Sequence, residues 1–426
     1  MNILIAIIIF SVIILFHEFG HFLLAKLNHI TVVEFSLGMG PRLLSTEKGG
    51  TRYSLKALPF GGSCQMLGED IDDPQPGSFL KASVWARISV VAAGPIFNFI
   101  LAFLLAMIIV GLSGSNITEI QEVPEDSAAY EAGLRAGDIV TSFDGYHVDL
   151  WEDYFIHWYL NEQDGRTVRL TVERDGEEFD IAYEPESAVR YLMGMYRDTG
   201  SMEVTGLIEG LPLEDAGVQV GDVITSINGT KIDSEEDYTA YINENPLGPE
   251  PLTIEYVRDG LTYEAEITPE ESTYYLTDYS VGAKNIRPSG LGLLKYSLLE
   301  VKSQIRSTFT SLKELFTGGL GVKDLSGPVG VVDAIGDTYE ESKDEGAAIL
   351  WSNLLFMAVL LSANLGVMNL LPFPALDGGR LLFLLIEAVR RKPGNRELEA
   401  AINFAGLMLL MVLMVVIMYN DILKLL

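Results

Sequence analysis

The sequence predicts a multi-pass α-helical membrane protein. It has four transmembrane helices, two inserted copies of one mixed α/β domain, and a small membrane-associated β-hairpin. Three observations carry this reading. Four apolar runs, 3–25, 84–112, 346–371 and 398–423, are each long enough to cross a hydrocarbon layer. Of 59 Asp and Glu, 47 lie in 115–345, with only 16 of the 29 Lys and Arg. Inside that acidic part a motif recurs at a fixed offset of 84 residues.

Composition agrees. The 426 residues are 48% hydrophobic with a mean hydropathy of +0.25, too apolar for an average soluble protein and too polar for spans alone. The net charge of −30 excludes nucleic acid as a partner and keeps the acidic part off anionic lipid. Cys64 is the one cysteine, so no intrachain disulfide forms.

The first segment, 1–26, is apolar to Ala25 and closed by Lys26. No positive charge precedes it and no small-residue cleavage site follows, so it reads as a span, not a signal peptide. Within it stand His17, Glu18 and His21. On a helix the two histidines, at i and i+4, leave one face and can reach a single zinc ion. Glu18 beside them can take a proton from an attacking water and return it to a leaving amine. This is the His-Glu-x-x-His signature of zinc metalloproteases. Such groups are costly in a bilayer, which favours function over chance.

Segment 27–83 carries short strands at 31–36 and 51–58, a turn at Pro59-Phe60-Gly61-Gly62 and a return over 63–67. Its free edge could pair with an extended substrate. Segment 84–113 is the second span and holds Gly94-Pro95-Ile96-Phe97-Asn98; an amide mid-span marks a helix contact or a site.

The repeat occupies 115–198 and 199–282. Gly133 to Ser142 recurs as Gly217 to Ser226, and Arg174-Asp175-Gly176 as Arg258-Asp259-Gly260. The Ala-Gly-x-x-x-Gly-Asp pattern resembles bacterial PDZ domains, so the copies are PDZ-like modules for peptide C-termini or extended segments. Linker 283–345 holds an amphipathic helix candidate, 291–316. Segment 346–379 is the third span. Its Asp377 is expected at the depth of the histidines, where a carboxylate completes a zinc site with His17 and His21. Segment 380–397 is cytoplasmic and 398–426 is the fourth span. Lys and Arg number seven in 26–87 and five in 380–396, which places both on the cytoplasmic side and the repeats outside.

Taken together, His17-Glu18-Phe19-Gly20-His21, Gly94-Pro95-Ile96-Phe97-Asn98 and Asn369 to Gly378 resemble the site-2 protease family of intramembrane zinc metalloproteases. The tandem PDZ repeats resemble its RseP-like branch. The resemblance implies one Zn2+ per chain on His17, His21 and Asp377, with Glu18 as base. It implies substrate-holding roles for Asn364, Asn369, Pro372 and Pro374, and Asn98 joins that set. It implies residence in the bacterial inner membrane, with substrates that are single-span proteins such as anti-sigma factors, or remnant signal peptides. The PDZ pair would then act as a size filter. A non-catalytic membrane PDZ scaffold and an ion transporter are the rival classes; loss of function on Glu18→Gln, or flux in liposomes, separates them.

Overall fold

The computed structural model describes residues 2–69, 75–161, 165–197, 200–276, 278–321, 325–392 and 394–424. The chain forms two compact units. One is Met1–Thr118, Val148–Leu160 and Ala283–Leu426; the other is Glu119–His147 and Asn161–Gly282.

Helix α1 (Asn2–Leu27) contains the first apolar run. Strands β1 (Val32–Lys48) and β2 (Thr51–Met66) follow and pair antiparallel. The reversal falls at Gly49 and Gly50, both with positive φ. The expected turn at 59–62 does not end β2, which runs on to Met66. Positive φ at Gly38, Gly40 and Gly61 lets both long strands bend, as glycine permits. The sheet therefore folds over itself, and Phe35 stands opposite both Tyr53 and Cys64. Glu34 is buried here and accepts from Arg42 Nε and Ser54 Oγ, each at 2.6 Å. Its carboxyl is held down at about 2, chiefly by the Arg42 hydrogen bond.

Helix α2 (Val84–Ser113) is capped by Ser83 Oγ, which accepts from Ala86 N–H at 3.2 Å. It packs tightly on α1. A Cβ at Gly20 would stand 2.4 Å from Ala93 O, so only glycine permits this approach.

Strands β3 (Ser115–Glu122), β4 (Ile139–Phe143), β5 (Tyr146–His147), β6 (Val168–Arg174), β7 (Glu177–Tyr183), β8 (Ser187–Leu192) and β9 (Met195–Arg197) make the first copy of the repeat, with helices α3 (Ala128–Glu131) and α4 (Trp151–Leu160). The second copy repeats this order as β10 (Val204–Leu207), α5 (Pro212–Asp215), β11 (Val223–Ile227), β12 (Thr230–Lys231), α6 (Glu235–Glu244), β13 (Leu252–Arg258), β14 (Leu261–Ile267), β15 (Glu270–Tyr275) and β16 (Ser280–Ile286). The recurring Gly-Asp and Arg-Asp-Gly signals have one physical cause. Arg174 donates through Nε and Nη2 to the buried Asp138 carboxylate at 2.6 and 2.7 Å, and Arg258 does the same to Asp222 at 2.7 and 2.6 Å. The strand order is β16-β3-β4-β6-β7 in one sheet and β12-β11-β13-β14 in another, while β9 pairs with β10 and β8 with β15. The closing strand of each copy thus lies against the opening strand of the other. The expected boundary between 198 and 199 lies outside the described residues.

Helix α7 spans Leu291–Thr317. Its Lys302 and Arg306 reach Asp149 at 2.6 and 3.3 Å, and Ser303 Oγ donates to Asp153, at the start of α4, at 2.7 Å. Helix α8 (Pro328–Ser342) follows in the same linker; its proline at N1 suits a helix start. Helix α9 (Ala347–Leu370), a short proline-containing loop, α10 (Asp377–Arg390) and α11 (Arg396–Lys424) complete the chain. Among the described residues, α1, α2, α9 and α11 are long and apolar enough to cross a membrane.

Candidate metal centre

His17 and His21 leave α1 one turn apart, with their Nε2 atoms separated by 3.2 Å. Asp377 begins α10 and points Oδ2 at both, 3.2 Å from His17 Nε2 and 3.4 Å from His21 Nε2. A tetrahedral ion with bonds of about 2.0–2.1 Å requires ligand atoms roughly 3.3 Å apart, and this triangle meets that requirement. The buried Oδ2 faces the two imidazoles and has no other partner among the described residues. The chemistry and spacing of the three donors fit zinc.

The loop that delivers Asp377 is held tightly. A Cβ at Gly378 would stand 2.1 Å from Leu371 O, and one at Gly379 2.3 Å from Phe373 O. Ala375, a non-glycine residue, sits at φ 75°, a left-handed value that costs free energy and recurs at functional sites. Its N–H donates to Asn403 Oδ1 at 3.2 Å, and Pro374 packs on Gly406, so α11 supports the turn.

Each imidazole has a partner behind it. His21 Nδ1 donates to Val90 O at 2.8 Å, which leaves Nε2 free for the ion. The Asn98 amide lies 3.2 Å from His17 Nδ1, fully buried. Its Oδ1 has no partner among the described residues. Turning the amide over brings Oδ1 to accept the Nδ1–H of a histidine that binds metal through Nε2. Gly94 makes the space: a Cβ there would stand 2.3 Å from His21 Nε2 and 2.8 Å from His17 Cε1. The sequence reading gave Gly94 no role, and its signal is that only glycine fits under two ring edges.

Glu18, His17, His21 and Asp377 line one cavity of about 400 Å³ with Gly62, Cys64 and Arg380 among its walls. The backbone N–H of Cys64 donates to Glu18, and a Cβ at Gly62 would stand 3.0 Å from Glu18 Cγ. Strand segment 62–66 is therefore the wall beside Glu18. Burial pushes the Cys64 thiol up, so it stays protonated. The structure does not bring Asn364, Asn369, Pro372 or Pro374 to this cavity. The Asn364 side chain accepts from Thr308 of α7, and Asn98 stands behind His17 and not in the cavity.

Four membrane-length helices and a buried His-Glu-x-x-His pair completed by an aspartate define a zinc metalloendopeptidase of the membrane. The chain matches Peptidase family M50 over residues 5–413, and it belongs to that family. It is 34% identical to zinc metalloprotease RasP of Bacillus licheniformis, covering 100% of both chains. It is 31% identical to the regulator of sigma-W protease RasP of Bacillus subtilis, covering 98% of this chain and 97% of that one. Among solved structures, the PDZ domain of HtrA3 is similar over 21% of this chain and 92% of its own, at 18% identity and a TM-score of 0.18, too slight a likeness to argue from.

Proposed function

We propose that this chain hydrolyses peptide bonds inside the bilayer, in single-span membrane proteins or in remnant signal peptides. The observation that carries the reading is the position of the donor set. His17 and His21 lie on an apolar helix of spanning length, and Glu18 borders a strand edge that has no partner strand among the described residues. A helical substrate hides its carbonyls in its own hydrogen bonds and must be extended before cleavage. Segment 62–66 pairs with β1 on one side, and its other side is available to hold an extended chain.

Bound zinc would be held by His17, His21 and Asp377 and would supply a Lewis acid that polarises the scissile carbonyl. Glu18 takes the proton of the attacking water and hands it to the leaving amine. Asn98 and the Val90 carbonyl hold the imidazoles in the tautomers that present Nε2. Asn364, Asn369, Pro372 and Pro374 act on the substrate indirectly, by shaping the end of α9 and the turn before Asp377.

The excess of Lys and Arg in 26–87 and 380–396 supports a cytoplasmic position for those segments, with the acidic repeats on the outer face of an inner membrane. We infer anti-sigma-factor-like substrates, since the Bacillus subtilis relative is named a regulator of sigma-W. The repeats, read as a PDZ pair, select substrates by size. The test is product mass spectrometry of single-span proteins in cells with wild-type or Glu18→Gln enzyme. New termini within the span that vanish in Glu18→Gln, with zinc retained, support the reading. The same termini in both cells would overturn it.

A further inference from the structure

We propose that Glu69 and Arg380 form a positioning pair that fixes which peptide bond of a docked substrate meets Glu18. The proposal rests on the edge-docking reading above.

Segment 62–66 is held from three directions. On one side it pairs with β1, through Phe35 opposite Cys64 and Val32 opposite Met66. On the open side the Cys64 N–H donates to Glu18. At its end the Met66 N–H donates to Glu69 Oε2 at 3.3 Å. The other oxygen of the same carboxylate, Oε1, accepts from Arg380 Nη1 at 2.5 Å. Arg380 lies three residues after Asp377 on α10. One carboxylate thus ties the end of the strand edge to the helix that carries the third metal ligand.

That helix is itself fixed. Arg87 of α2 donates to both oxygens of Glu387 at 3.1 and 2.5 Å, a bidentate pair that holds α10 against α2. Glu69 therefore refers the strand edge to the frame of the metal site. The pair is also a partition: Glu69 and Arg380 line the catalytic cavity and a neighbouring cavity of about 520 Å³. Removing either side chain opens space into which the end of β2 can move.

The functional consequence follows from strand geometry. Each residue advances a strand by about 3.3 Å, and a shift of two residues keeps the same faces and hydrogen-bonding groups. A substrate docked on an edge is therefore prone to slip by two. An edge that is itself pinned at Cys64 and at Met66 holds one register against the metal. Glu69 and Arg380 are positioning residues for that register, and Glu18 remains the base.

The test uses the full chain in lipid vesicles with a synthetic remnant signal peptide as probe. Four forms are compared: wild type, Glu69→Gln, Arg380→Gln, and the exchange Glu69→Arg with Arg380→Glu. The single variants are expected to keep zinc, to cut at the original bond and at one displaced by two residues, and to raise KM about tenfold, the loss of one charge-assisted hydrogen bond. The exchange keeps opposite charges at the two positions but leaves the Met66 N–H without its acceptor, so it is expected to retain the displaced cut. Unchanged cut positions in both single variants, or loss of zinc from them, would overturn the proposal. A second series of probes, N-methylated at successive backbone positions, tests docking alone. Sensitivity that alternates along the peptide supports edge pairing. Uniform sensitivity defeats the docking reading on which the pair depends, whatever the cut positions show.

Discussion

Gly94 of α2 lies directly under His21 of α1, so close that any β-carbon would stand 2.3 Å from the metal-facing nitrogen. The zinc site is thus shaped as much by a missing side chain as by its ligands.

Gly94→Ala should displace one or both imidazoles. The spans keep their length and apolarity, so the variant is expected to insert and to lose metal. Atomic-emission analysis of the purified chain should show about one zinc in wild type, as for a mononuclear site, and little in the variant. Full zinc content in Gly94→Ala would disprove this packing.

The Asn98 side chain faces His17. Asn98→Ala is expected to lower zinc affinity about 10–100-fold, the usual cost of removing a partner behind a ligating histidine. Competition with a chelator of known affinity measures it. An unchanged affinity would show that His17 needs no orienting partner.

Glu300 on α7 gives a pH dependence. Burial, with Glu152 and Asp153 near, pushes its carboxyl up to about 7, while Ser115 Oγ donates to Oε1 at 2.7 Å. The folded-state value lies above the ordinary 4.5, so the folded chain is penalised as pH rises from about 4.5 to about 7 and carries the whole penalty above that. Glu300→Gln should therefore raise the melting temperature at pH 8 and leave it unchanged at pH 4. A variant less stable at pH 8 contradicts the sign.

Asp421 caps a helix from inside the last span. It is buried, and its two oxygens accept the N–H groups of Gly327 and Gly330 at 3.1 and 2.9 Å, at the start of α8. Asp421→Ala leaves both donors without that acceptor and should cost about 1–2 kcal/mol. Thermal unfolding in detergent reads the loss; no shift would mean the cap carries no stability.

The three candidate donors and Glu18 were legible because each is a local signal. His17, Glu18 and His21 obey the helical period within one apolar run, and Asp377 sits at the end of another. Asn98 was legible as an anomaly but not in its role, because its meeting with His17 depends on how two helices separated by some eighty residues come together. Gly94 carries no local signal of its own: glycine is common in membrane helices, and nothing in the sequence distinguishes one that clears two imidazoles. Helix α10 was not seen at all. Gly378 and Gly379 at its start and the basic residues at its end read as a loop, and its stability comes from tertiary ties such as Arg87 to Glu387. The turn at 59–62 misled because glycine in a strand marks a bend as well as a reversal.

The offset of 84 residues revealed two copies but not that β9 closes on β10 and β16 on β3. That exchange constrains how the gene can change. A lineage that lost the first copy would leave β16 without its mate, and one that lost the second would strand β3, in either case with an open edge ready to recruit a neighbouring molecule. A single retained copy would have to close β16 on β10, or β9 on β3, within itself to cover that edge.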